Sequence, residues 1–153
     1  TGGSLHDRLA ELGPPAVLQA IDGLTAGTLT GEIQDDSLAT YAHKLGKADA
    51  RIDWDRPATE LALMIRAFNP WPLAHALWQG QPLKVWNAEV EEGNGAPGEI
   101  LQCSRQGLLV ACGDQALRLT RLQLPGGKPL AFADLYNARR DQFVPGQRLE
   151  NGQ

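Results

Sequence analysis

The sequence predicts a mainly β domain with flanking helices, and three observations carry that expectation. Five short runs rich in apolar and β-favouring residues, at 73–79, 82–91, 98–104, 107–112 and 115–124, are separated by glycine-containing turns. An apolar stripe at helical spacing, Ala58, Leu61, Ala62, Ile65 and Phe68, precedes the first of them. That helix is expected to stop near Phe68, because Asn69 precedes Pro70 and is pushed out of helical geometry, and Pro72 again supplies no backbone donor.

The elements follow in order. Ser4-Leu-His-Asp7 has the form of a capping box with the shorter acid, and Leu5, Leu9 and Leu12 form a short helical stripe before Gly13. Pro14 and Pro15 suit the start of a second helix, with Val17, Leu18, Ile21 and Leu24 on its apolar face up to Gly27. Two such helices bury little alone, so residues 1–30 read as the tail of a larger upstream domain. Thr1-Gly-Gly-Ser4 has no basic segment, apolar leader core or initiating methionine, and reads as an internal cut. Residues 31–54 lack a clear periodicity and are expected to be a linker lying over a surface, exposing Lys44, Lys47 and Arg51.

The third part is 55–153, opened by Asp55 as helix N-cap with Pro57 in the first turn. Gly80-Gln81 reads as a two-residue hairpin turn, which sets Trp78 opposite Leu83 and His75 opposite Trp86. Lys84 then shares a sheet face with Trp86 and His75; the competing arrangement has Trp86 filling the core while Lys84 reaches outward. The turn over Gly93–Gly98 reads as flexible. After Pro125-Gly-Gly-Lys128, Phe132, Leu135 and Tyr136 form a helical face leading to Arg139-Arg140, and Glu150–Gln153 is expected to fray. Five strands suggest a small closed sheet of the OB-type architecture that binds oligonucleotides, although a generic small barrel or sandwich fits the strand count equally well.

With 153 residues, 42% hydrophobic and 21% charged, the chain suits one domain plus an appendage, and no apolar run nears the roughly 20 residues a bilayer span needs. Cys103 and Cys112 fit neither a zinc nor a Cys-x-x-Cys spacing and are read as reduced thiols in a cytosolic protein, with a bridge between neighbouring strands left open. The net charge of −4 is unevenly spread: −5 over residues 1–43, +1 over 44–90, −3 over 91–114 and +3 over 115–153. That distribution is compatible with a local basic patch on an acidic protein. His6, His43 and His75 make no catalytic group by spacing, and neither a nucleophile elbow nor a phosphate-binding glycine loop with a following lysine occurs.

Several separate motifs, in order, carry a family resemblance. They are Gly3-Ser-Leu-His-Asp-Arg-Leu-Ala-Glu-Leu-Gly13, Tyr41-Ala-His-Lys-Leu-Gly-Lys-Ala-Asp-Ala-Arg-Ile-Asp-Trp54, and Arg66-Ala-Phe-Asn-Pro-Trp-Pro72 with Gly80-Gln-Pro-Leu-Lys-Val-Trp86. Ala96-Pro-Gly98, Asn137-Ala-Arg-Arg140 and Val144-Pro-Gly146 complete the set. Over nearly its whole length the chain resembles the C-terminal part of the bacterial methionyl-tRNA formyltransferase family. The resemblance implies two helices left from a Rossmann-like catalytic domain, a linker and an OB-like tRNA-binding domain. It also implies a parent enzyme that moves a formyl group from 10-formyltetrahydrofolate to the methionyl amino group of initiator tRNA in translation initiation.

The family's folate site, its catalytic Asn, His and Asp and its Ser-Leu-Leu-Pro motif belong to the N-terminal domain, so the resemblance implies no catalytic residue, cofactor or metal site here and no turnover by this chain alone. By matching motif, the tRNA-binding positions are Lys44, Lys47, Arg51, Arg66, Lys84, Arg139 and Arg140. The implied setting is a cytoplasmic monomer without membrane attachment, partnered by initiator tRNA and the catalytic domain. The alternatives are the corresponding part of a formyltetrahydrofolate hydrolase or sugar formyltransferase, or a non-catalytic structural domain.

Overall fold

Alternating burial turns the expected strands into a sheet. In the computed structural model, which describes residues 1–151, Leu83 and Val85 are fully buried while Lys84 between them is exposed, the two-residue period of a half-buried strand. Six antiparallel strands result: β1 (His75–Trp78), β2 (Gln81–Glu91), β3 (Ile100–Ser104), β4 (Gly107–Ala111), β5 (Ala116–Gln123) and β6 (Leu130–Ala131). Their order is β1-β2-β5-β4-β3, with β6 paired to β5.

The expected five-stranded closed barrel is thus an open sheet of six strands. The sixth, two residues long and exposed, is too short to carry a periodicity in the sequence. β1 and β3 end the sheet without a shared ladder, and the C-terminal segment spans the interval between them. Leu77 and Glu150 exchange backbone hydrogen bonds at 3.1 and 2.9 Å, while Ile100 donates to the Gln147 carbonyl at 2.8 Å. Glu150 is therefore held rather than frayed. Asn151 Oδ1 also accepts from the Trp54 amide at 2.9 Å, while Gly152 and Gln153 lie outside the described residues.

The chain divides into two compact units, one comprising residues 3–45 and the other residues 46 onward with the first two. In the first, a single helix α1 (Gly2–Thr25) replaces the two expected, with Pro14 and Pro15 inside it. Proline's fixed φ is itself helical, so the helix runs through the pair, although each removes an amide donor and crowds the carbonyl four residues before it. None of its residues is buried, and Leu5, Leu9, Leu18 and Ile21 are each more than half exposed.

In the second unit, α2 (Ala58–Ala67) buries Ala58, Leu61 and Ile65, the stripe expected from its spacing. Its N-cap is Pro57, not Asp55. Asp53 to Arg56 form a turn, and the first orphan donor of the helix, the Ala58 amide, is taken by the Asp114 carbonyl at 3.0 Å. The end of the expected linker is core rather than surface: Ala50 and Ile52 are fully buried and Trp54 nearly so. Ile52 and Trp54 join Leu83, Val85, Leu108, Leu117, Leu119 and Leu122 in one core with residues of α2 and of α3 (Phe132–Arg139). Trp78 stacks on Phe143 with ring centroids 5.1 Å apart, sealing one end. Cys103 and Cys112 are free thiols, and burial pushes Cys112 up to about 12, so it stays protonated.

The Gly93–Gly98 turn is packed rather than flexible. A Cβ on Gly93 would meet Ala116 at 2.7 Å, and one on Gly98 would meet the Leu149 carbonyl oxygen at 2.4 Å. Nearby, Arg118, 8% exposed, donates from Nη2 to Glu91 at 2.6 Å and to Gln102 at 3.2 Å, and from Nε to the other Glu91 oxygen. Those hydrogen bonds hold the Glu91 carboxyl below the ordinary carboxylate range. The unfolded chain therefore binds the proton more readily than the folded one. The stabilisation from Glu91 is complete above its unfolded value, about pH 4.3, and is lost as pH falls through the lower folded value. Urea titrations below about pH 5 are expected to show a shallower loss of stability in Glu91→Gln than in the parent, and identical slopes would remove this ion pair from the acid response.

Candidate nucleic-acid interface

The hairpin at residues 79 and 80 decides which side chains share the outer face. Gln79 and Gly80 both have positive φ, +51° and +71°, as a tight turn matched to strand twist requires. The turn residues are therefore Gln79-Gly80 rather than Gly80-Gln81. Trp78 pairs with Gln81 and His75 with Lys84, in place of the expected Trp78–Leu83 and His75–Trp86 pairs. The difference is two residues, so each side chain keeps its expected face.

The row extends across four segments. Arg51 bridges His75, His75 pairs with Lys84, and Lys84 pairs with Gln123 of β5. Ala50 and Ile52 are buried on either side of exposed Arg51, which fixes it outward with Lys84. With adjacent strands roughly 4.8 Å apart, Arg51 and Lys84 stand about 10 Å from one another across the His75 ring. Trp86 is half-buried on this outer face and does not fill the core. Its indole Nε1 donates to Gln123 Oε1 at 3.1 Å, and the backbone carbonyl of Trp86 accepts from Asn69 Nδ2 at 2.8 Å. The Arg121 guanidinium lies 5.7 Å from the indole centroid, a cation–π contact worth about 0.5–1 kcal/mol at an exposed site.

Arg121 and Gln123 were not legible as site residues. β5 reaches β2 only after the chain has built β3 and β4, so no short-range spacing puts Arg121 beside Trp86. A register irregularity between Val85 and Asn87 adds to this, because it breaks the simple pairing count at Trp86. The only sequence signal was the excess of basic charge after residue 115.

The other expected positions are exposed as well. Lys47 opens a short 3-10 turn, Lys47–Ala50, that leads into Arg51, and is exposed. Arg66 is exposed in the last turn of α2, shortly before Asn69. Arg139 ends α3, and Arg140 begins the 3-10 turn Arg140–Gln142, with its Nε 3.7 Å from the Asp141 carboxylate. Lys44 is exposed and belongs to the 3–45 unit. The arrangement offers cations that can follow a phosphate backbone and an indole braced by an amide and a guanidinium. Among the described residues, no group of three or more His, Cys, Asp or Glu is placed to hold a metal ion, and no helix is long and apolar enough to cross a membrane.

A methionyl-tRNA formyltransferase of Pseudomonas fluorescens is 70% identical over 149 residues, covering 97% of this chain and 47% of that protein. A Pseudomonas putida methionyl-tRNA formyltransferase is 66% identical over 97% of this chain and 48% of its own length. The chain thus spans about half the length of the curated relatives it matches. Among solved structures, a variant of HypX from Aquifex aeolicus shares the fold, with a TM-score of 0.63 at 22% identity over 84% of this chain and 23% of that one. The family model for the formyl transferase C-terminal domain matches residues 44–140, and the chain belongs to that family.

Proposed function

We propose that this chain is the tRNA-holding part of a methionyl-tRNA formyltransferase, in which residues 46 onward work as an OB-like platform. The observation that carries the reading is the outward row of Arg51, His75, Lys84, Trp86 and Arg121, which combines phosphate-binding cations with a supported aromatic face. The high identity to relatives bearing that name supports the choice of partner, an initiator methionyl-tRNA. Lys47 and Arg66 extend the track, while Lys44, Arg139 and Arg140 supply further phosphate contacts.

In this reading residues 1–30 belong to the end of a catalytic domain, the segment up to residue 45 connects, and residues 46 onward form the RNA-binding domain. The formyl donor, 10-formyltetrahydrofolate, and the catalytic groups act upstream of this chain, in the cytoplasm. The protein works as a monomer that keeps the tRNA body in place while the aminoacyl end reacts elsewhere. Phosphate contacts of this kind orient the RNA without reading its sequence.

Binding of labelled initiator methionyl-tRNA to the chain across a salt series tests the proposal. The expected result is measurable binding at low salt that weakens steeply as salt rises, with no formyl transfer when the donor is supplied. Absence of binding at low salt, or binding indifferent to salt, would overturn it.

A further inference from the structure

At the end of the sheet, where the β1–β2 turn meets the end of α3, lies a hollow of about 530 Å³. That volume falls within the roughly 300–1,000 Å³ of small-ligand sites. Its floor is apolar, from Trp78, Leu124 and Pro125, and Trp78 is fixed there by its stack on Phe143. Its rim carries four carboxamides, Gln79 from the turn, Gln81 at the start of β2, and Gln142 and Gln147 from the segment after α3, together with Asp141, whose carboxylate lies 3.7 Å from Arg140 Nε. Gln147 gives its Oε1 to the Val144 amide, whereas the side chains of Gln79, Gln81 and Gln142 are exposed and without partners among the described residues. Arg139 lines the hollow and also a neighbouring one of about 440 Å³ that contains Lys128, and its guanidinium is unpaired among the described residues.

Each free carboxamide offers a donor and an acceptor on one plane, the pattern presented by the hydrogen-bonding edge of a nucleobase. A guanidinium beside them suits a phosphate. We infer that this hollow receives one unpaired nucleotide of the bound RNA, its base edge on Gln79, Gln81 and Gln142, its ring against the apolar floor and its phosphate on Arg139. The inference rests on the RNA-holding reading above and adds to it a contact that reads a base edge, where the outer face supplies phosphate contacts and stacking.

The test compares the parent chain with Gln81→Ala/Gln142→Ala and with Arg139→Gln, both confined to exposed positions. Loss of the amides is expected to weaken initiator tRNA binding about tenfold with an unchanged salt slope, whereas Arg139→Gln lowers the slope by about one. A double amide variant that binds tRNA within about twofold of the parent, at the parent's slope, overturns the hollow as a nucleotide site while the holding role stands. If the parent binds no tRNA, the holding role fails, and titration with the four nucleoside monophosphates decides the hollow by itself. Shifts of the Gln79, Gln81 and Gln142 side-chain amide signals and of the Trp78 indole signal sustain it, and unmoved signals overturn it.

Discussion

Replacing Arg51, Lys84 and Arg121 together by alanine is expected to weaken initiator tRNA binding about 100-fold at low salt and to flatten the salt dependence by about two to three units of log–log slope. The three cations belong to the face gathered by β1, β2 and β5, and none has an acidic partner among the described residues. Each phosphate contact removed withdraws its own counterion release, so the change must appear in slope as well as in affinity. Trp86→Ala separates the aromatic share: loss of stacking costs about 1–3 kcal/mol per base while leaving the slope where it was. Arg56→Ala is the control, because Arg56 is already paired with Glu60 at 2.6 Å on an exposed helix face. A triple variant with the parent's slope would take the RNA away from this face.

Gly98→Ala is expected to destabilise the 46–151 unit by about 3–4 kcal/mol, read as a lower urea midpoint at unchanged m-value. Two causes add. Gly98 has φ +83°, which costs a residue with a Cβ roughly 1–2 kcal/mol. Its Cβ would also stand 2.4 Å from the Leu149 carbonyl oxygen and 3.3 Å from Trp54 Cδ1. Relief of that overlap displaces the C-terminal segment, breaking the 2.8 Å hydrogen bond from the Leu149 amide to the Gly98 carbonyl and drawing on the contacts to β1. Gly126→Ala isolates the first cause, since Gly126 has φ +69° and nothing within 4 Å of an added Cβ, so about 1 kcal/mol is expected there. Equal losses in the two variants would mean that the close approach at Gly98 contributes nothing.

The positions of the strands were legible because short apolar, β-favouring runs stand between glycine turns at 80, 107 and 113; a period of two marks Leu83 and Val85, whereas β4 is buried at all five positions. The helix before the hairpin was legible from a period of 3.6, with Ala58, Leu61 and Ile65 inward as their spacing required. Pro14 and Pro15 misled, because a proline removes a donor without forbidding the helical φ it already has. Trp54 and Ile52 misled in the other direction. In a segment of mixed polarity nothing marks them as core, and they become so only because the Ile52 amide donates to the His75 carbonyl at 2.8 Å and ties the segment to β1.

The candidate site divides in the same way. Lys84 and His75 belong to one hairpin, so alternation along two adjoining strands was enough to place them on one face, whereas Trp86 was left between that face and the core until the register irregularity beside it was seen. The motifs likewise determined the family, and the run of basic residues after 115 indicated that cations would gather near the C-terminal end. What only the tertiary structure decided is which cation joins the indole, and how the ends of the sheet are held. Arg121 reaches Trp86 through a strand pairing that skips two intervening strands, and residues 146–150 reach both sheet edges from the far end of the chain. Such contacts arise from chain closure over tens of residues, where sequence periodicity carries no register and packing alone sets the neighbours.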